Sequence, residues 1–152
     1  MFTGLLHFHS LLRWVLLILL ITIVIKALQG RSGGREFARG DKKLSLFAMI
    51  TAHLQLILGG FLYTVSPTVK NAISNMGAAM KDPVARFWAV EHISMMIIAI
   101  ALLTYGHIRC KKVQGDQEKY KVQSVYFTLG LLLILLSIPW PFREVGFGRG
   151  WF

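Results

Sequence analysis

Four stretches of the chain are almost continuously apolar, roughly Leu5 to Leu28, Leu44 to Val65, Phe87 to Ile108 and Val122 to Pro141, with polar segments between them. Each approaches the ~20 residues with which an α-helix crosses the hydrocarbon core of a bilayer. The pattern predicts an all-α fold: an integral membrane antiparallel four-helix bundle, one domain over residues 1–152, with spans at about 5–28, 44–65, 87–108 and 122–141. Between the second and third spans, residues 66–84 open on Ser-Pro and close on Asp-Pro, two local breakers. Val69, Ile73, Met76 and Met80 recur there at helical spacing, so this loop is expected to be an amphipathic helix on the outer surface.

Orientation follows from Lys and Arg in the short loops. The first loop carries Lys26, Arg31, Arg35, Arg39, Lys42 and Lys43, and the third Arg109, Lys111, Lys112, Lys119 and Lys121. Both belong in the cytoplasm, which puts both termini on the outer, periplasmic side of a bacterial inner membrane. The formal charge of +10 is thereby explained by topology, and no nucleic-acid partner is implied. The first run has no Lys or Arg ahead of it and is interrupted by Arg13, so it reads as a span and not as a signal peptide. Cys110 is the single cysteine, which excludes disulfides and a CxxCH heme attachment. The tail residues Trp140, Phe142, Phe147, Trp151 and Phe152 are expected to anchor at the membrane interface.

Ionisable residues inside spans are costly and mark function by default, so their depths matter. Lys26, Lys43 and Arg109 set a common cytoplasmic floor. His9, Gly60 and His92 each lie seventeen residues above it, about 25 Å up at 1.5 Å per residue. His53 is ten residues up, near the midplane, and His107 only two. Arg13 follows His9 by four residues and shares its face, which should look into the bundle. His7 is turned about 200° away, toward the headgroups. His53 and Gly60, seven apart, line one stripe of the second helix. His92 and His107 differ by about 60°, so both can face inward.

Neutral imidazole is a good iron ligand, and a six-coordinate heme needs two, from different helices at one depth, with small residues beside the porphyrin plane. His9, His92 and Gly60 meet that description. Heme carboxylates would want Arg13 below this level or Arg86 and Lys81 above it, and Glu91 could pair with Arg13 or orient a histidine. His53 is a further candidate iron ligand, as an alternative partner of His92, and His107 a candidate for a second, inner heme. Each has a plainer alternative as a hydrogen-bonded packing residue, a proton relay or an interfacial group. His7 with His9 suggests copper or zinc, but HxH on a helix sends the rings apart.

The H-x14-H pair in "HISMMIIAIALLTYGH" resembles the pattern by which cytochrome b subunits hold two stacked hemes on one helix, and the four-span layout is similar to the small membrane-bound b-type cytochromes. The resemblance implies an outer heme on His92 and an inner one on His107. It departs on the partner side, where the remaining histidines are split between His9 and His53, about 10 Å from the His107 level in the latter case. One heme b is therefore expected, with a second as the open alternative. The implied role is electron transfer between the quinone pool and a partner membrane subunit, in a homodimer or larger complex. The alternatives are a heme-dependent oxidoreductase on a lipid-soluble substrate, a cofactor-free accessory subunit and a proton-coupled carrier using Glu91, Arg13 and His53.

Overall fold

The computed structural model describes residues 2–146; Phe147, Trp151 and Phe152 of the expected aromatic cluster lie outside them. The described residues form helices and no strands: α1 (Phe2–Gly33), α2 (Arg39–Val65), α3 (Pro67–Ser74), α4 (Met76–Ala79), α5 (Pro83–Arg86), α6 (His92–Lys112) and α7 (Asp116–Ser137). A π-helical turn, Phe87–Glu91, joins α5 to α6, so Pro83–Lys112 is one rod. A 3-10 turn, Glu144–Gly146, closes the described chain. Four rods, α1, α2, α5 to α6 and α7, are long and apolar enough to cross a membrane, which makes this a multi-pass membrane protein.

Local chemistry sets the helix ends. α1 stops before Gly34, whose φ of +64° is the left-handed conformation that ends helices. Ser66 and Asp82 cap α3 and α5 with side-chain oxygens, each followed by proline at the first helical position. Two expectations need correction. The last span ends at Ser137 and not at Pro141, because Pro139 forces Ile138 into extended backbone (φ −71°, ψ 130°). The loop over 66–84 is three short helices, broken first at Asn75 (φ −138°, ψ 69°). Val69, Ala72 and Ala79 turn inward, leaving Ile73, Met76 and Met80 exposed.

The bundle is apolar outside as well as inside: Ile18, Ile57 and Leu136 are 64%, 68% and 65% exposed. Lipid tails solvate such a surface as well as a core does, so helix association rests on close packing of small residues and on hydrogen bonds. Gly30 lies under the Tyr120 ring, Gly106 under Tyr126 and Gly130 against Leu103. A central cluster of Leu20, Ile23, Ala52, Ala99, Leu103 and Phe127 joins the four rods. The start of α1 lies beside the end of α2, where Gln55 Nε2 donates to the His9 carbonyl at 2.8 Å. His92 lies beside the end of α7.

At the opposite end of the bundle a buried carboxylate ties three elements together. Asp41 accepts from Lys26 Nζ at 2.7 Å, from the Ala38 amide at 3.1 Å and from the Tyr120 hydroxyl at 3.0 Å, with Arg35 at 3.4 Å. It is 3% exposed, so these bonds are shielded from competing water. Asp41→Asn should therefore lower stability by about 1–3 kcal/mol. Glu118→Gln, which removes an exposed pair with Lys121, should change it by less than about 0.5 kcal/mol. Thermal unfolding of the two variants in one detergent checks the contrast.

Candidate functional site

A cavity of about 320 Å³ opens between the start of α1, the end of α2 and the start of α6. It sits at the lower end of the size range of small-molecule sites. His9, Arg13 and Ser10 line it from α1, Gln55, Gly59, Gly60 and Tyr63 from α2, and Trp88, His92 and Met96 from the π turn and α6. His9, Arg13, Gly60 and His92 are thus brought together. His7 is exposed at the cavity's edge.

The sequence motif Ser-Ile-Pro-Trp-Pro fixes the His92 ring. A helix leaves its last carbonyls without amide partners, and here proline occupies 139 and 141, the positions whose N–H groups would have reached Leu135 and Ser137. Side chains replace them: Trp140 Nε1 donates to the Leu135 carbonyl at 3.0 Å, Arg143 Nη1 to Leu136 at 2.7 Å, and His92 Nδ1 to Ser137 at 2.8 Å. A carbonyl only accepts, so Nδ1 carries the proton and the lone pair of neutral His92 is on Nε2. The Phe87 and Trp88 rings flank the imidazole, both with centroids 5.7 Å away.

The π turn gives His92 this position. His92 N–H bonds back five residues to the Phe87 carbonyl, and the Tyr63 hydroxyl donates to the Ala89 carbonyl at 2.7 Å. π turns of this kind concentrate at functional sites. The turn also settles Glu91. Residues five apart point about 140° apart on an α-helix; the wider turn brings Arg86 Nε to 2.6 Å from Glu91 Oε1. Glu91 pairs with Arg86, and not with Arg13, the first of its two alternatives. Arg86 is engaged by Glu91 and by the Met80 carbonyl, outside the cavity lining. Arg13 lines the cavity, its guanidinium over the Trp14 ring at 5.4 Å.

His9 rests on glycine. A Cβ at Gly59 would lie 3.1 Å from His9 Cε1, whereas one at Gly60 would meet nothing within 4 Å. His9 Nδ1 is buried without a hydrogen-bond partner, as is Gln55 Oε1.

The other two histidines are elsewhere. His53 is exposed on the outward face of α2, in a shallow groove with Ile50, Leu54 and Ile57, and its Nδ1 donates to the Met49 carbonyl at 2.8 Å. It does not share a stripe with Gly60 toward the cavity. His107 Nδ1 meets Ser45 Oγ at 2.7 Å, joining α6 to α2 far from His9. Sequence reasoning missed Gln55, Tyr63, Trp88 and the Ser137 carbonyl. Gln55 carried a usable signal, as the one amide inside the span 44–65. The others depend on the π turn and the proline-broken helix end.

Among the described residues no three His, Cys, Asp or Glu side chains converge as a metal cage. The cavity gathers two imidazoles from different helices, one with its lone pair fixed on Nε2, a guanidinium and two glycines. No family model, no curated protein and no solved structure matches the chain.

Gly59→Val should force the His9 ring to turn and cost about 1–3 kcal/mol, whereas Gly60→Ala should leave the ring in place. Imidazole NMR signals assigned to His9 read the difference. Unchanged His9 signals in Gly59→Val would show that the ring does not rest there.

Proposed function

We propose that this chain is a membrane heme b protein that passes electrons between the quinone pool and a partner membrane subunit. The observation that carries the reading is the convergence of His9 and His92, from different helices, on one cavity beside Gly59 and Gly60. His92 and His9 would hold the heme iron and Arg13 would pair with a heme carboxylate. Heme b bound there supplies one-electron redox chemistry at a site held without thioether bonds. His92 is held by the Ser137 carbonyl and flanked by Phe87 and Trp88, which fixes the ring plane before any ligand arrives. Burial among Leu16, Ile100 and Ile134 keeps bulk water from the deep end of the cavity.

In this reading the bundle is antiparallel, the basic loops face the cytoplasm and both termini face the periplasm of a bacterial inner membrane. The cavity then lies in the outer half of the bilayer. One heme is proposed and not two, since neither His107 nor His53 lines the cavity that holds His9 and His92, and His53 faces outward. The single site asks for an electron partner in the membrane or at the outer surface.

A reduced-minus-oxidised visible spectrum with pyridine hemochrome quantification tests the proposal. About one heme per chain is expected. His92→Ala and His9→Ala should lose the Soret and α bands, while His53→Ala and His107→Ala keep them. A colourless protein, under conditions that load a control cytochrome, would overturn it.

A further inference from the structure

Two polar atoms of the cavity that are buried without a partner, His9 Nδ1 and Gln55 Oε1, belong to residues already joined by a hydrogen bond. Gln55 is 8% exposed, and its Nε2 donates to the His9 carbonyl at 2.8 Å. That bond fixes the amide: the nitrogen must face the carbonyl, so the other arm is Oε1, which only accepts. Imidazole Nδ1 can donate when it carries the proton. The two are complementary in one tautomer of His9, the tautomer His92 already has through the Ser137 carbonyl. The Gly59 floor presents no side chain to oppose a turn of the His9 ring, and the Gln55 amide, anchored from α2, does not have to move.

We infer that Gln55 is the positioning residue of His9. Its Oε1 accepts the Nδ1 proton when the ring turns, which leaves the Nε2 lone pair for a metal and makes the two histidines equivalent in donor state. The tautomer assignment stands on the cavity alone; its consequence for iron rests on the heme reading. Neutral imidazoles that donate through Nδ1 are more basic ligands and favour the ferric state. Removing the acceptor should therefore weaken heme retention and raise the midpoint potential.

The experiment compares wild type, Gln55→Leu and Gln55→Glu in detergent, with and without heme. In the heme-free protein, ¹⁵N NMR of His9 should report protonated Nδ1 in wild type and a shift toward protonated Nε2 in Gln55→Leu. In the heme-loaded protein, Gln55→Leu should lose heme about 10–100-fold more readily. Its midpoint should rise, by about 59 mV for each tenfold loss of ferric over ferrous stabilisation. Gln55→Glu loses the donor to the His9 carbonyl but keeps an acceptor for Nδ1–H, and should hold the potential at or below the wild-type value, a result that loss of packing alone would not give. Protonated Nε2 in wild-type His9, or a midpoint unmoved in Gln55→Leu, would overturn the inference. If the wild type binds no heme, the reading above falls while the NMR result still decides the role of Gln55.

Discussion

Hydrocarbon offers no hydrogen bonds, so every polar group in a membrane span has to find its partner within the protein. The end of α7 shows how this one constraint shapes the molecule. Pro139 and Pro141 remove two amides, and the carbonyls of Leu135, Leu136 and Ser137 are left without backbone partners. They are met by Trp140, Arg143 and His92. A backbone shortage on one helix thus becomes a fixed imidazole on another. The same residues fold the tail over the cavity end of the bundle, where Arg143 sits on the Phe87 ring at 5.4 Å and Trp88 donates to the Val145 carbonyl at 3.2 Å.

The bundle has a polar lock at each end and a seam of small residues between. At one end Asp41 gathers Lys26, Arg35 and Tyr120, and Phe37 packs edge-on against the Tyr120 ring. At the other, Gln55, Tyr63 and His92 each bond a backbone carbonyl of a neighbouring element. Side-chain bonds to carbonyls suit this setting, because a carbonyl already used in a helix has a second lone pair to offer. The cavity lies at the second end, which is also where the helix is widened by a π turn.

The spans were legible because an apolar run of ~20 residues matches the width of a bilayer and is longer and more uniform than the one-sided stripe of a soluble helix. Their ends were less so, since capping by Asp82 or extension of Ile138 before Pro139 is decided by a residue or two. Counting depth from the basic flanks placed His9, Gly60 and His92 at one level, and all three line one cavity. It failed for facing. His53 was assigned to the Gly60 stripe by a seven-residue repeat, but the inward face of α2 runs through Gln55 and Gly59, Gly60 lies at its open edge, and His53 looks outward. For Glu91 neither alternative included its partner, Arg86, which is five residues away, a spacing that the π turn makes adjacent. No periodicity rule built on 3.6 residues could have given that pair.

The four histidines of the spans separate by what their Nδ1 atoms meet, more clearly than by depth. His53 donates to the carbonyl four residues back on its own helix, a local bond that leaves the ring on the outer face. His107 meets a serine hydroxyl, which can give or take a proton and so fixes no tautomer. His92 donates across helices to a carbonyl that proline has left without its amide, which fixes both ring and proton. His9 is the exception: its Nδ1 is buried and unmatched beside the cavity, while an unmatched acceptor sits on the residue that holds its backbone. A low-dielectric interior penalises both atoms until they are paired. Of the four rings, His9 is therefore the one whose position should respond most to whatever occupies the cavity, and α1 with α2 the side of the bundle that adjusts.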